Sequence, residues 1–357
     1  GGSSWLSESA GQQRLVRSPL LQAPPALPTM VEEAGRDGVG AAALPSVDVW
    51  SFNLRTEFKE TTDGDDGWSR RRAGVAELIR GRRPALVCCQ EATAAMLSFL
   101  EGCLAENGYK WVGVSRSTDR PDETAGFLFD RERLELLEHK AAWLGPPGTK
   151  DGVSGWDAAL PRTMEMALFR LLGSGQHRPL YLRAVNTHLD HVGVEARQQS
   201  ASQLAAAMQK WALEGPDAAQ VLCGDFNSPK DGNEVYRLLS DRGTGLRDAA
   251  RGSRLRKLGV RSTIHKFRGD GFAEARGDGT VDLSGAGPAG AAAEAQPDAR
   301  HIDWIFWRDA RELELRPDSY EVITDRLANG RYPSDHFPIA ASFSFVLRPA
   351  KPPASKL

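Results

Sequence analysis

The chain has 357 residues, of which 41% are hydrophobic and 26% charged, the composition of a globular protein with a sizeable core. No run of eighteen apolar residues occurs, so a membrane-spanning helix is excluded. Lysine and arginine number 45 against 47 aspartates and glutamates, and the net charge of -2 excludes a uniformly basic nucleic-acid coat while leaving local basic patches open. Four cysteines without Cys-x-x-Cys spacing favour a reducing compartment.

The first part of the chain, residues 1–45, is rich in Gly, Ser, Ala and Pro and has no sustained apolar periodicity. It also lacks the basic start, apolar stretch and cleavage site of a secretory signal. We predict a low-complexity leader, because such a segment buries too little apolar surface to fold. Its first four residues have the composition of a cloning remnant.

The middle of the chain alternates between predicted strands and helices. Strands are predicted where apolar residues alternate with polar ones or run continuously, and helices where apolar residues recur every three or four positions. Several strands are apolar throughout, which favours two packed sheets covered by helices. The predicted strands are 47–53, 85–91, 126–129, 180–189, 220–225, 301–307 and 337–346, and the helices are 68–80, 96–104 and 196–213.

Two further segments stand apart from this pattern. The Gly/Ala-rich stretch at 285–295 is predicted to be a loop insertion. Residues 347–357 are predicted to form a flexible tail that ends in Ser355-Lys356-Leu357, a tripeptide that the peroxisomal import receptor reads on an exposed C-terminus. We therefore expect the peroxisomal matrix if the source is eukaryotic, and the cytoplasm otherwise.

Polar side chains gather at or near the ends of the predicted strands. Carboxylates and amides are hard oxygen ligands, and with few histidines and no paired cysteines they favour Mg²⁺ or Mn²⁺ over zinc. The two histidines add acid–base capacity, or donors to developing negative charge. This inventory fits metal-assisted hydrolysis of a phosphate ester. The residues are Asn53, Glu91, His188, Asp225, Asn227, Asp303, Asp335 and His336.

Each of these residues also has a purely structural interpretation. Asn53 fits a strand-end cap, Glu91 a solvated loop acid, and Asp225 and Asn227 the two sides of a turn. Asp303, between two apolar residues of a strand, is harder to explain in this way, because a buried charge without a partner is costly. Singly the residues are weak indicators; in their order along the chain they are specific.

The ordered motifs resemble the endonuclease/exonuclease/phosphatase superfamily, which has the DNase I-like fold. The resemblance extends over residues 46–346, which we assign as the catalytic domain, and implies a four-layer α/β sandwich of two mainly antiparallel sheets flanked by helices. Residues 155–157 and 161–162 resemble the branch with microbial and fungal members. The motifs are Ser51-Phe52-Asn53-Leu54-Arg55, Gln90-Glu91, Asn186-Thr187-His188-Leu189-Asp190, Gly224-Asp225-Phe226-Asn227-Ser228, His301-Ile302-Asp303 and Ser334-Asp335-His336-Phe337-Pro338.

The resemblance implies a role for each residue. Glu91 would be the main ligand of the metal ion, with Asn53 and Asp335 completing the site. Asp225 would position or deprotonate the attacking water, and Asn227 would contact the phosphate. The two histidines, His188 and His336, would donate to the non-bridging oxygens. Asp303 would hold His336 in its tautomer, and Glu123 resembles an acid that supports His188.

The substrate has to be inferred from the variable loops. One arginine cluster follows Asn53, and a second lies between residues 247 and 268. Either cluster suits a DNA backbone, a single phosphate on a small molecule, or an ion-paired surface. Trp156, Arg162 and Arg268 are candidate substrate-binding residues.

We expect a monomeric, metal-dependent phosphoesterase, most specifically a deoxyribonuclease that trims DNA from a 3′ end. The alternative at the same site is a phosphatase or phosphodiesterase of small phosphorylated molecules such as sugar phosphates, nucleotides or lipid head groups. A third alternative is a non-catalytic binding module that retains the fold, and the complete set of candidate ligands and bases disfavours it.

Overall fold

The structure is a computed structural model that describes residues 46–173, 179–230, 232–258, 260, 262–269 and 300–348. The predicted leader, the Gly/Ala-rich segment at 285–295 and the Ser-Lys-Leu end lie outside these residues.

The described residues form thirteen strands arranged in two sheets. Apolar strands dominate the centre of each sheet, as expected where both faces are covered. The strands are β1 (Ser46–Asn53), β2 (Leu86–Gln90), β3 (Tyr109–Val112), β4 (Phe127–Asp130), β5 (Leu134–Trp143), β6 (Thr163–Leu171), β7 (Tyr181–His188), β8 (Ala219–Asp225), β9 (Arg247–Asp248), β10 (Leu255–Lys257), β11 (Asp303–Arg308), β12 (Leu313–Val322) and β13 (Ile339–Leu347).

One sheet has the strand order β10-β12-β13-β1-β2-β4-β3, and the other β5-β6-β7-β8-β11-β9. Most neighbouring strands are antiparallel, and the parallel pairs are β1–β2, β7–β8 and β10–β12. The predicted architecture, two mainly antiparallel sheets, is therefore confirmed.

Helices cover the outer faces of both sheets. No helix in the described ranges combines the length and apolar character needed to cross a membrane. The α-helices are α1 (Glu60–Asp63), α2 (Trp68–Arg82), α3 (Ala94–Cys103), α4 (Val194–Trp211), α5 (Glu234–Ser240) and α6 (Ala249–Gly252), and short 3₁₀ turns span Glu57–Lys59, Gly64–Asp66 and Ala105–Asn107.

Three hydrophobic clusters separate the four layers. Side chains alternate between the faces of a strand, so Val47 and Val49 of β1 face the cluster between the sheets, while Trp50 and Phe52 face the cluster that includes residues of α2 and α3. In the same way, Ile305 and Trp307 of β11 face the cluster between the sheets. Trp304 and Phe306 of β11 pack in the cluster that includes residues of α4 and α5. This double coverage explains the continuous apolar runs in the sequence.

The predicted elements are present with small shifts at their ends. The strand predicted at 301–307 begins at Asp303, because His301 and Ile302 precede the ladder with β8. The helix predicted at 196–213 spans Val194–Trp211. The strands β3, β5, β6, β9, β10 and β12 were not predicted, and several of them alternate irregularly or carry many charged residues.

The start of α4 depends on a residue far from it in sequence. Gly193, at the N-cap, has no side chain to accept the free amides of the first turn, and the Asp157 carboxylate accepts from the backbone N–H groups of Glu195 (3.3 Å) and Ala196 (2.6 Å) instead. The loop around Trp156 is thereby tied to the helix that follows His188.

We expect Asp157→Ala to lower the free energy of unfolding by about 1 kcal/mol, because it leaves two helix amides without an acceptor. Urea denaturation followed by circular dichroism measures the change. Asp151→Ala, at an exposed aspartate of the same loop, is the matched control. Equal stabilities of the two variants would contradict the capping role.

Candidate active site

The strand registers bring the predicted polar residues to one edge of the sandwich. In the parallel pair β1–β2, Asn53 lies opposite Gln90, which precedes Glu91. In the second sheet, Asp225 lies between His188 on the parallel strand β7 and Asp303 on the antiparallel strand β11. The carboxyl ends of four strands and the start of a fifth therefore meet at one rim.

Asp225 is the centre of this rim. The side chain is 1% exposed. Its Oδ2 accepts a hydrogen bond from Asn53 Nδ2 across the two sheets (3.0 Å) and lies 3.6 Å from His188 Nε2 and 3.8 Å from His336 Nε2. Burial, and then repulsion by Asp303, raise the pKa of Asp225 to about 7. A carboxylate with such a pKa is suited to take up a proton near neutral pH.

His336 forms a buried dyad with Asp303. Its Nδ1 lies 2.9 Å from Asp303 Oδ2, and both residues are at most 3% exposed. Thr263 Oγ1 accepts from the backbone N–H of Asp303 and so fixes the start of β11. Burial alone would lower the pKa of His336, but the carboxylates of Asp303, Asp225 and Asp335 outweigh it and raise the pKa to about 10. At neutral pH His336 is therefore an imidazolium whose Nε2–H faces Asp225.

His188 has the opposite charge state. Burial, followed by the positive charges of Arg162 and Arg116, lowers its pKa well below the usual value. Asn227 Nδ2 lies 3.1 Å from His188 Nε2 and donates to the Leu189 carbonyl oxygen (2.9 Å). Because the neutral ring accepts at Nε2, its proton lies on Nδ1, which is 4.0 Å from Glu123 Oε2.

A second group of acids lies on the other side of Asn53. Asn53 Nδ2 donates to Glu91 Oε1 (3.1 Å), and Arg55 Nη1 lies 3.6 Å from Asp335 Oδ2. Burial raises the pKa of Asp335, and the Glu91 carboxylate raises it further against the opposing effect of His336. Negative charge at this position is thus only partly compensated by the protein.

These carboxylates fit a divalent cation. Glu91, Asp335 and the Asn53 amide supply hard oxygen donors, which Mg²⁺ and Mn²⁺ prefer. Side-chain atoms of Asp225, Asp303 and His336 also lie within 4.8 Å of one another. We favour the first set, because His336 is protonated and already bonded to Asp303, and a metal ligand has to offer a free lone pair.

The first arginine cluster is not the exposed basic face that one interpretation of the sequence predicted. Arg71 is fully buried, and its guanidinium donates to the carbonyl oxygens of Leu54 (3.1 Å), Arg55 (3.1 Å), Pro333 (2.6 Å) and Asp66 (2.5 Å). It therefore ties the loop after Asn53 to the loop before Asp335. The interaction is structural.

The neighbouring arginines are largely ion-paired or stacked. Arg82 pairs with Asp325 (2.7 Å) and Glu321 (3.0 Å), and Arg83 with Glu132 (3.2 Å). Arg80 pairs with Glu77, and Arg72 stacks on Phe99. For this cluster the alternative, an ion-paired helix face, describes the structure better.

The candidate substrate-binding residues are in three different settings. Arg268 is exposed and follows a turn in which the backbone N–H groups of His265 and Lys266 donate to the Asp335 carbonyl oxygen, so it lies on the rim. Trp156 is half-buried against the hydrophobic cluster that includes α4 residues. Arg162 is 4% exposed and lines a pocket beside His188.

Glu91, at the rim, also lines this pocket. Arg116 Nη1 bonds Glu123 Oε2 (2.7 Å) at its wall. Burial, and then the Glu91 carboxylate, raise the pKa of Glu123 to about 7. The other lining residues are Thr124, Ala125, Thr163 and His188.

Sequence reasoning missed three positively charged residues of the site. Arg55 was part of a quoted motif without a role, Arg71 was grouped with surface arginines, and Arg116 lies in a loop that carries no motif. The helical spacing of Arg71 with Trp68, Val75 and Ile79, all buried on one face of α2, was the available signal for its burial.

The family model of the Endonuclease/Exonuclease/phosphatase family matches residues 50–336. This match spans well over half of the chain, and the protein belongs to that family. Members of the family are hydrolytic phosphoesterases, among them nucleases and phosphatases, and the protein is accordingly a phosphoesterase.

Solved structures share the fold. A mannosyl-6-phosphatase from Bacteroides thetaiotaomicron is 24% identical, with a TM-score of 0.65 over 84% of this chain and 100% of that one. The catalytic domain of human Nocturnin, solved with a bound sulfate anion, is 19% identical, with a TM-score of 0.56 over 85% of this chain and 96% of that one.

One sequence relative is the 3′-5′-exoribonuclease subunit Ccr4 of the CCR4-Not complex from Debaryomyces hansenii. It is 25% identical over 323 residues, which cover 80% of this chain and 36% of that protein. The chain thus spans about a third of the length of this relative.

We expect Arg71→Lys to lower the free energy of unfolding by about 3 kcal/mol, because an ammonium group cannot reach the four carbonyl oxygens that the guanidinium bonds. Urea denaturation measures the loss. Arg70→Lys, at the exposed neighbouring position, should leave stability within about 0.5 kcal/mol of wild type. Similar stabilities for both variants would show that Arg71 does not hold the two loops.

We expect Asp303→Asn to reduce stability most at low pH. The pKa of His336, raised in the folded state, contributes stability that is fully present below pH 6.5 and is lost as the pH rises to about 10. Asp303→Asn removes the carboxylate that contributes most to the raised pKa of His336. The difference in unfolding free energy between wild type and variant should therefore shrink from pH 6 to pH 10, and a difference independent of pH would contradict the dyad.

Proposed function

We propose that the protein hydrolyses phosphate esters by in-line attack of water, with inversion at phosphorus and without a covalent intermediate. The observation that carries the proposal is the placement of a buried carboxylate, Asp225, between a neutral and a charged histidine at one rim. A base and a charged hydrogen-bond donor are thereby directed at one small volume.

Asp225 is the proposed base. With its pKa near 7 it takes a proton from the attacking water, while the Asn53 amide holds its Oδ2 in place. The His336 imidazolium, oriented by Asp303, donates to a non-bridging oxygen, on which negative charge grows in the transition state. Asn227, whose amide nitrogen contacts His188 Nε2 and donates to the Leu189 carbonyl oxygen, holds the neutral His188 ring in place.

Mg²⁺ or Mn²⁺ is the proposed cofactor, and the family generally depends on a divalent metal. Glu91, Asn53 and Asp335 would hold the ion. When bound, it supplies positive charge that polarises a phosphoryl oxygen.

A small phosphate ester is the substrate that the site supports best. The guanidinium groups of Arg71, Arg82 and Arg83 are occupied by carbonyls and carboxylates, so they offer little to a DNA backbone. In the pocket beside His188, Arg162 Nη1 has no hydrogen-bond partner among the described residues and can donate to a phosphate oxygen. The fold shared with a mannosyl-6-phosphatase is consistent with such a substrate.

Nuclease activity, as a deoxyribonuclease working from a 3′ end, is the second candidate. Two exposed basic residues, Lys266 and Arg268, lie on the rim next to Asp335, where a nucleic-acid backbone would pass. The sequence relative Ccr4 is a 3′-5′-exoribonuclease, which also favours digestion from a 3′ end.

Peroxisomal import through the receptor for Ser355-Lys356-Leu357 stays a proposal, as does a monomeric state. We expect deletion of these three residues to leave hydrolysis unchanged and to move a fluorescently tagged protein from peroxisomes to the cytosol. An unchanged location in live-cell imaging would refute the targeting role.

One panel assay tests the proposed activity. Wild type and Asp225→Asn are offered end-labelled single- and double-stranded DNA, RNA, and phosphorylated sugars and nucleotides, each with Mg²⁺, Mn²⁺ or EDTA. We expect metal-dependent phosphate release from the small esters. In Asp225→Asn the activation free energy of this hydrolysis should be higher by about 3 kcal/mol or more. Hydrolysis that continues in EDTA would refute the metal requirement, and an Asp225→Asn rate equal to that of wild type would refute the role of Asp225 as the base.

A further inference from the structure

A carboxylate that the proposed mechanism does not use is buried between the two sheets. Glu165 of β6 is 0% exposed and shares the strand face of Ala167, which packs in the cluster between the sheets. It lies in register with Asn186 of β7, two residues before His188. Burial of a carboxylate is costly, and an apolar residue of similar volume would avoid that cost. The presence of Glu165 so near the site therefore indicates a function.

Glu165 accepts hydrogen bonds from both ends of the β3–β4 loop (residues 113–126). Its Oε1 and Oε2 lie 3.2 and 3.1 Å from the backbone nitrogen of Val114, and it also accepts from the backbone N–H of Ala125. Both amides lie just beyond the β3–β4 ladder, which ends at the pair Val112 and Phe127. The carboxylate thus takes the place of a strand partner for the loop.

His139, on the edge strand β5, holds the carboxylate from the other side. Its Nε2 lies 2.8 Å from Glu165 Oε2, and its ring packs edge to face on Phe127 with the centroids 6.3 Å apart. Burial raises the pKa of Glu165, whereas the hydrogen bond and the charge of His139 act against that rise. The two contacts fix the direction in which the carboxylate faces the loop.

The two limbs of the β3–β4 loop pack closely over this anchor. A Cβ added at Gly113 would lie 2.4 Å from Thr124 Cγ2 and 2.9 Å from Gly126 Cα. The approach is too close for any side chain at this position. The loop is therefore held in one place by packing and by the carboxylate together.

The same loop reaches the active site on two sides. It carries Glu123, whose Oε2 lies 4.0 Å from His188 Nδ1. The backbone N–H of Thr124 donates to the carbonyl oxygen of Ala92 (2.7 Å), the residue that follows Glu91. A displacement of the loop would therefore be transmitted to the surroundings of both His188 and Glu91.

We infer that Glu165, oriented by His139, is a positioning residue for the proposed hydrolysis, because it holds the β3–β4 loop where Glu123 and Glu91 complete the site. The inference rests on the proposed function. Glu165 contacts the loop and His139, so it acts on the reaction through other residues. Its loss should relax the alignment of the reacting groups and lower kcat more than it changes KM.

Steady-state kinetics with Mn²⁺ test the inference on the ester that the panel assay identifies. In Glu165→Leu, which removes both acceptors, kcat should fall about tenfold or more while KM stays within about threefold. Glu165→Gln keeps an oxygen for the loop amides and should retain at least about a third of kcat. Phe169→Leu, on the same face of β6 nearer its other end, is the matched control and should keep kcat within about twofold of wild type.

His139→Phe supplies a readout that a loss of packing alone would not change. Removal of His139 lets the pKa of Glu165 rise further, because only burial is then left to act strongly on it. A protonated Glu165 holds the loop less firmly, so the ratio of the kcat of this variant to that of wild type should fall as the pH is lowered. The ratio should be independent of pH in Phe169→Leu and in the double variant His139→Phe, Glu165→Gln.

Hydrogen exchange followed by mass spectrometry tests the anchor without reference to turnover. Amides of the β3–β4 loop should exchange about tenfold faster or more in Glu165→Leu, and at the wild-type rate in Phe169→Leu. Wild-type kcat in a folded Glu165→Leu, an equal loss of kcat in Phe169→Leu, or unchanged exchange of the loop overturns the inference and leaves the hydrolytic function standing. If Glu165→Leu does not fold, a pH-independent ratio for His139→Phe overturns it instead. Faster loop exchange in Glu165→Leu, with no ester hydrolysed by wild type, would refute the proposed function and with it the catalytic part of the inference, but not the anchor.

Discussion

Carboxylates of Asp225, Asp303, Glu91 and Asp335 are gathered at one edge between the two sheets, and the rest of the site depends on how their charge is balanced. Like charges at such separations cannot all remain ionised in a buried place without a counter-charge. His336 supplies part of this counter-charge. The raised pKa values of Asp225 and Asp335 show that some of the negative charge is not compensated. A cation is the simplest means of balancing the remainder.

The two histidines show how position alone can give one residue type two functions. Three carboxylates outweigh the effect of burial and raise the pKa of His336, whereas burial, followed by the positive charges of Arg162 and Arg116, lowers the pKa of His188. One ring is thus a strong donor to developing negative charge, and the other accepts a hydrogen bond from Asn227. The two histidines differ in pKa because different strands place different neighbours around each ring.

Much of this arrangement could be predicted from the sequence. Apolar runs that end in Asn53, Glu91, His188 and Asp225 predict strands whose ends meet at one rim, and the structure brings those residues together. The hydrogen bonds that link the two sheets beneath the rim, such as Gln90 Nε2 to Asn186 Oδ1 (2.7 Å), depend on strand order, which no local pattern encodes.

The arginines show the limit of sequence reasoning most clearly. Arg71 and Arg72 are adjacent and chemically identical, yet one is buried beneath two active-site loops and the other stacks on an aromatic ring at the surface. Only the packing of α2 distinguishes them. Arg116 has no neighbouring signal at all, because its partners Asp122 and Glu123 are defined by a loop whose fold depends on contacts across the sheet.

The central claim is that the acids at the rim require a divalent cation, and one measurement addresses it directly. Thermal unfolding of the chelated protein is followed as Mn²⁺ is added, for wild type and for Glu91→Gln, with Glu101→Gln as a matched control on α3. A ligand that binds only the folded state raises its stability by about 2.7 kcal/mol at a hundred times its Kd. We predict such a rise in wild type and in the control and its loss in Glu91→Gln; the same rise in all three proteins, or none in wild type, would contradict the account.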